Sequence, residues 1–307
     1  MKFINGLKSL KNSESACVAT IGNFDGLHLG HQKILSNLKQ KAIKLNLPLT
    51  VISFEPLPSE YFLLKPPARI YPLRDKIEKM KSLGVDNFLC LKFNKKLANT
   101  DPTDFIETIL INNLNVKHLS VGDDFRFGYK RGGGLNLLQE IGQMHGMTVE
   151  NTNTQIQEGQ RISSTRIREA LKQGNITSAN ELLGYDYQLS GRVRHGDKRG
   201  RTIGFPTLNM KVLTHIAPQI GVYAVKVHGL DSVPLNGVSN LGMRPTVAGT
   251  ENRLETHIFD FNRDIYGKYI SIEFKEFIRA EQKFDTFDDL KKQIKIDAEI
   301  AKKILNS

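Results

Sequence analysis

Two histidines three residues apart supply the first candidate chemistry in this chain. Thr20 to His31 reads TIGNFDGLHLGH, so one turn of helix would carry His28 and His31 on the same side. Gly22, Gly26 and Gly30 permit tight turning and close approach of backbone to a ligand. A helix starting behind them supplies unpaired N–H groups and the positive end of a dipole. Imidazoles aimed at such a site suit the stabilisation of phosphate charge during transfer. The competing reading is a plain glycine-rich connection with surface histidines, and the doubled histidine weighs against it.

A second phosphate-binding candidate is Arg161 to Arg168, RISSTRIR, where Ser164 is a good N-cap for a helix through Leu171. Hydroxyls and guanidinium groups at a helix start are what a polyphosphate needs; a capping motif with a solvated basic face is the alternative. Between the two lies VGDDFRFG, Val121 to Gly128, whose acidic residues could hold Mg²⁺ or a ribose, or form an ordinary Asp-rich turn. FEPLP, Phe54 to Pro58, forms a rigid lip after another strand, and RIYPLRDK, Arg69 to Lys76, precedes a helix.

A different kind of site follows. Gly191 to Asn209 reads GRVRHGDKRGRTIGFPTLN, a basic glycine loop able to wrap phosphates, although no Gly-Lys-Ser/Thr of a P-loop is present. Thr207 and Asn209 are two apart and face the same way on a strand, so a hydroxyl and an amide oxygen could both ligate Mg²⁺. Glu255 stands in an apolar-alternating run, ETHIFDF, as either a general base for a hydroxyl nucleophile or a salt-bridged barrel residue. NLGMRPT, IYGK and RAEQKF complete the motifs of this region.

The elements that must position these residues fall into two textures. From Ala16 to about Gly184, β-branched runs alternate with helical segments. Strands are expected at 16–22, 49–54, 87–93, 116–121 and 147–150, and helices at 30–46, 74–83, 101–113 and 135–144. This alternation implies an α/β domain with a mostly parallel sheet and ligands beyond the strands' carboxyl ends. After Tyr187 come short alternating runs at 222–227, 254–259 and 269–274, the pattern of an antiparallel sheet or small barrel. A terminal helix from Phe287 to Leu305 is expected to pack through Leu290, Ile294, Ile300 and Ile304. The boundary is placed near 186, giving domains 1–185 and 186–307.

Length and composition agree with this organisation. The 307 residues are 39% hydrophobic and carry 43 Lys and Arg against 32 Asp and Glu, a net charge of +11. That excess points to an anionic partner without choosing which. Cys17 and Cys90 lie in strand-like runs and read as buried, reduced thiols. No secretory signal or apolar run of about 18 residues is found, so a cytoplasmic location without a membrane partner is expected.

In combination, HLGH and ISSTRIR resemble the H-x-G-H and I-S-S-T-x-x-R signatures of the nucleotidylyltransferase superfamily. Class I tRNA synthetases share a related histidine motif, but this chain is short for them and lacks their lysine-rich second signature. With PTLN, Glu255 and their order, the stretch from Ala16 to Phe284 resembles the bacterial bifunctional riboflavin kinase/FAD synthetase family. The resemblance implies a Rossmann-like adenylyltransferase domain followed by an antiparallel flavokinase barrel with a terminal helix. It implies ATP, riboflavin, FMN and FAD as ligands and Mg²⁺ as cofactor. Catalysis would fall to Glu255, His28, His31 and Arg168. ATP contacts would come from Gly22, Phe24, Asp25, His28, His31, Asp124, Ser164, Thr165 and Arg168 in one site. In the other they would come from Gly191, Gly196, Gly200, Gly204, Thr207 and Asn209, the last two holding the metal. Pro56, Pro58, Arg244, Glu255, Arg279 and Phe284 would contact flavin. The alternatives are a single-activity adenylyltransferase, a flavin-binding sensor and a nucleic-acid-binding protein; the last lacks an exposed aromatic series for base stacking, so no nucleic acid is expected.

Overall fold

The computed structural model describes residues 1–10, 16–152, 156–157, 159–195, 205–213, 215–246 and 249–306. Packing divides the chain into two compact units, Met1–Pro67 with Lys76–Ser163 and Ala68–Asp75 with Ser164–Ser307. The second unit thus takes in a segment from the first third of the chain and the residues from 164 onward.

The first unit is built on a sheet whose central strands are buried along almost their whole length. β2 (Cys17–Ile21) is buried at every position and β3 (Leu49–Glu55) at all but the last, as strands covered on both faces must be. With β1 (Lys2–Asn5), β4 (Asn87–Lys92), β5 (Val116–Gly122) and β6 (Thr148–Thr152) they form a parallel sheet ordered β1-β4-β3-β2-β5-β6. The chain leaves β2 toward β3 and β4, then returns to β5 on β2's other side. The loops after β2 and β5 therefore flank the point where strand order reverses, the usual place for a ligand. β1 escapes sequence reading because only Ile4 of its four residues is buried. The short hairpin β7 (Ile156–Gln157) and β8 (Gln160–Arg161) follows β6.

Helices α1 (Leu29–Leu45), α2 (Pro58–Phe62), α3 (Leu73–Ser82), α4 (Lys95–Ala98), α5 (Pro102–Asp104) and α6 (Leu135–Met144) connect these strands. Asp101 caps α5 through Thr103 N–H at 2.8 Å with Pro102 at the first position, as the sequence suggested. The α-helix expected to run on to Asn113 instead widens into a π-helix over Phe105–Asn113. Both cysteines are free and buried, and burial pushes the Cys17 thiol up to about 11, so it is not poised to react.

The second unit opens with α7 (Ser164–Lys172) and α8 (Ile176–Leu183), the latter ended by Gly184 in the left-handed conformation. Ser164, expected as the N-cap, is instead the first residue of α7, one position inside the helix. Six strands then close a barrel: β9 (Gln188–Arg194), β10 (Leu208–Val212), β11 (Gly221–His228), β12 (Leu235–Thr246), β13 (Gly249–Ile258) and β14 (Tyr269–Ala280). All its pairings are antiparallel, in the cyclic order β10-β13-β12-β11-β14-β9. Tyr223 and Phe274 fill the interior edge-to-face, 4.9 Å between ring centres, and Phe274→Ala should cost about 3–5 kcal/mol.

The terminal helix α9 (Phe287–Asn306) packs through the small residues Ala298 and Ala301 against Val222, Ala224 and Val238. Ile304 joins that contact, whereas Ile300, expected there, is 38% exposed. Three residues beyond Ala301, Ile304 continues the contact row, and Ile300 falls outside it. Leu290 and Ile294 face a cavity rather than the packed core. Among the described residues no helix is long and apolar enough to cross a membrane.

Candidate functional site

In the first unit, the loop after β2 is held from beneath before it turns. Gly22 N–H donates to Ile52 O at 3.0 Å, extending the sheet by one step. Phe24 and Leu27 then adopt φ of 48° and 42°, with Gly26 at 87°. Left-handed backbone is unfavourable for the two large residues, and burial of both side chains holds it in place. Lys76, 1% exposed, donates from Nζ to Asn23 O at 2.8 Å, and Ser53 Oγ reaches the same carbonyl at 3.3 Å. Asp25 is also buried.

This loop delivers the two histidines to the start of α1. His28 is its N-cap, and Nδ1 accepts from His31 N–H at 3.4 Å, which places the imidazole proton on Nε2. The two rings stack 3.7 Å apart at 17°, and Phe24 lies 5.0 Å from His31 on its other side. Burial, reinforced by the charges of His28, Lys76 and Arg161, holds His31 well below the usual histidine range. His31 is therefore neutral, with its Nδ1 buried and unpartnered among the described residues. A neutral imidazole at a helix start, over a buried lysine, can donate to phosphate oxygens without proton exchange.

The loop after β5 is tied to the hairpin strand β8, where Arg161 pairs with Asp124 at 3.2 Å and Asp123 at 3.8 Å. Beyond β3 the Glu55–Pro56 bond is cis, Pro58 opens α2, and Glu60 Oε2 accepts from Leu57 N–H at 2.9 Å. Tyr61 and Phe62 meet Phe93 edge-on at 5.5 and 5.6 Å, yet Phe62 remains 63% exposed. These rings follow β3 and β4 and suit a flat aromatic ligand; the run YFLL was their only sequence signal.

The ISSTRIR residues from Ser164 onward belong to the second unit, where Arg168 Nε donates to Ala68 O at 2.7 Å. In the barrel, Thr207, Glu255, Arg279 and Phe284 line one cavity of about 460 Å³. Arg279 is clamped by Asp297, Nε to Oδ1 at 2.9 Å and Nη2 to Oδ2 at 2.7 Å, with Gln293 donating to the same carboxylate at 2.9 Å. Its guanidinium stands 5.8 Å from the Phe284 ring centre. His257, not singled out in the sequence, also lines the cavity, with its Nδ1 2.9 Å from Pro206 O.

Thr207 borders a second cavity of about 360 Å³ formed with Arg263, Asp264 and Tyr266, so one hydroxyl stands between two spaces. Thr207 itself precedes β10, and Asn209 lies within it, 5% exposed. Gly191 is in β9, where any Cβ would strike the Met210 side chain at 2.6 Å. Gly196, Gly200 and Gly204 lie outside the described residues, as does the side chain of Arg244, whose backbone pairs with Glu251 in the barrel.

Residues 10–166 match the family model for FAD synthetase, and residues 183–305 match that for riboflavin kinase. The chain is 48% identical over 308 residues to the bifunctional riboflavin kinase/FMN adenylyltransferase of Haemophilus influenzae, covering 100% of both. It is 46% identical over 299 residues to the Escherichia coli K12 protein of the same name, covering 97% of this chain and 96% of that one. A solved structure described as a macrolide-efflux protein from Streptococcus pneumoniae superimposes with a TM-score of 0.82 at 32% identity, over 98% of this chain and 99% of the other. A two-unit fold, a capped histidine pair and a barrel cavity holding a carboxylate beside the Thr-Leu-Asn start of β10 thus converge with these matches: the chain belongs to the bifunctional riboflavin kinase/FMN adenylyltransferase family.

Proposed function

We propose that this chain phosphorylates riboflavin in the barrel and adenylylates FMN with the histidine loop and the ISSTRIR residues, a functional division near residue 186. The observation that carries the reading is the single cavity holding Glu255, Thr207 and Arg279 opposite apolar and aromatic walls. Glu255 takes the proton of the ribityl 5′-hydroxyl, whose oxygen attacks the γ-phosphorus of ATP as ADP leaves. The flavin ring lies toward Phe284, and the nucleotide occupies the second cavity and the glycine-rich segment that follows β9, where Gly196, Gly200 and Gly204 cover phosphates; Gly191, expected to join them, sits in β9 against Met210.

Thr207 and Asn209 fit a hard divalent cation such as Mg²⁺: they offer neutral oxygens, and Asn209 Oδ1 is buried with no hydrogen-bond partner among the described residues. When bound, such a cation neutralises phosphate charge.

In the second reaction an FMN phosphate oxygen attacks the α-phosphorus of another ATP, and pyrophosphate leaves. His28 and His31 donate to the α-phosphate from Nε2, with Gly22, Phe24 and Asp25 shaping their loop. Ser164, Thr165 and Arg168 grip the β- and γ-phosphates, and Asp124 contacts the ATP. Pro56 and Pro58 bring the Tyr61–Phe62 aromatics to the FMN ring; Arg244 assists flavin in the barrel. The test is to mix protein, riboflavin, ATP and Mg²⁺ and follow the flavins by chromatography. FMN appearing before FAD is expected; riboflavin left unchanged by folded protein overturns the reading.

A further inference from the structure

Three polar side chains stand abreast on neighbouring barrel strands. Asn209 on β10 is the cross-strand partner of Glu255 on β13, which is in turn the partner of Asn240 on β12. Directly paired residues on a sheet share a face, with Cβ atoms about 4.5–5.5 Å apart. Asn240 and Glu255 both line the 460 Å³ cavity. The Oδ1 atoms of both asparagines are buried and accept no hydrogen bond among the described residues. The Asn240 amide nitrogen lies beside Gly242, where a Cβ would come within 3.2 Å of it and 2.7 Å of Glu281 Oε1.

A buried amide oxygen without a donor is costly, so a strand that keeps one beside a carboxylate calls for a donor from outside the protein. The ligand of this cavity carries such donors in one place. The isoalloxazine ring presents mostly acceptors and a flat apolar face, for which Phe205 and Phe284 provide walls. The ribityl chain is a row of hydroxyls ending in the one that Glu255 deprotonates. We propose that Asn240 orients the substrate in the kinase site, its Oδ1 accepting a hydrogen bond from a ribityl hydroxyl and setting the terminal hydroxyl against Glu255. The inference rests on the barrel being the flavin-phosphorylating site. It makes the polyol, and not only the ring, a determinant of which flavins enter.

The full-length protein and its Asn240→Ala and Asn240→Ser variants test this. Binding of riboflavin and of lumiflavin, which has the same ring with a methyl in place of the ribityl chain, is read by quenching of flavin fluorescence. Adenylylation of supplied FMN checks that each variant is folded. Asn240→Ala should weaken riboflavin binding about tenfold while lumiflavin moves by less than about twofold. KM for riboflavin should rise, KM for ATP should hold, and Asn240→Ser, which keeps an oxygen acceptor, should recover riboflavin to within about threefold of wild type. Equal loss of both flavins, or unchanged riboflavin binding in Asn240→Ala, overturns the inference while leaving the barrel reading intact. A wild-type protein that phosphorylates no riboflavin overturns both.

Discussion

The histidine loop and the barrel cavity are charged in opposite ways. The loop has its positive charge built in: a lysine with 1% exposure beneath it and the start of α1 behind two stacked imidazoles. The barrel gathers acceptors instead, with Glu255 between Asn209 and Asn240, and its best-placed cation, Arg279, is already matched by Asp297. A site with resident cations can grip a polyphosphate through its own groups. A site made of oxygens must import positive charge along with its substrate.

The sharpest way to break this comparison is to disable each site separately. His28→Ala should abolish FAD formation from FMN, about 10³-fold or more, and spare FMN formation; Glu255→Ala should do the reverse. Chromatography of the flavin products decides, and loss of both activities in either folded variant would undo the assignment of two independent sites.

A smaller effect comes from the matched cation. Asp297→Ala strips the half-buried Arg279 of its partner and should destabilise the barrel by about 3 kcal/mol, while raising KM for riboflavin. Denaturant unfolding with the FMN-adenylylating activity as reference measures it; an unchanged midpoint would mean the pair is ornamental.

The built-in charge of the loop also has a pH signature. In the unfolded chain His31 takes up a proton near 6.5, and in the folded protein only well below that. The unfolded state therefore binds more protons below about pH 6.5, and stability falls as pH drops through that value. His118 contributes with the same sign, its burial outweighing the Glu150 carboxylate 3.5 Å away. Thermal unfolding between pH 7.5 and 5.5 should show the decline, and the His31→Gln variant should flatten it. The least effect is expected at α9, where Thr286 Oγ1 accepts from Asp289 N–H at 3.1 Å: Thr286→Ala should cost about 1 kcal/mol by thermal melt.

The two regions also differ in how much of them could be read before folding. The histidine loop is contiguous, so its residues, the strand before it and the helix after it were all legible. Even there Lys76 was missed, because a lysine 53 residues from Asn23 gives no local sign that it will be buried against it. In the barrel, Thr207 and Glu255 stood out as polar residues in apolar surroundings. NLGMRPT and RAEQKF pointed to Asn240 and Arg279, but the pairing of Asn240 with Glu255, His257 and the Asp297 partner of Arg279 did not show, since they depend on which strands and helix become neighbours. The π-helix at Phe105–Asn113 was invisible for another reason: it shares the apolar residues and boundaries of an ordinary helix and differs only in its winding.

The segment Ala68–Asp75 bears on how such a protein could be taken apart. Although it lies more than a hundred residues ahead of the barrel, it is bound to it as part of one unit. Tyr187 Oη donates to Ile70 O at 2.9 Å, Ser190 N–H to Asp75 at 3.2 Å, Arg69 N–H to His215 O at 2.9 Å, and Ala217 N–H to Arg69 O at 2.9 Å. Arg74 lies over the Tyr269 ring at 3.9 Å. One cut in the gene cannot release a kinase with all its wall intact, because part of that wall is encoded inside the other half. The two activities are thus not interchangeable cassettes, and a recombinant that swaps the second half alone would inherit a barrel facing a foreign strap.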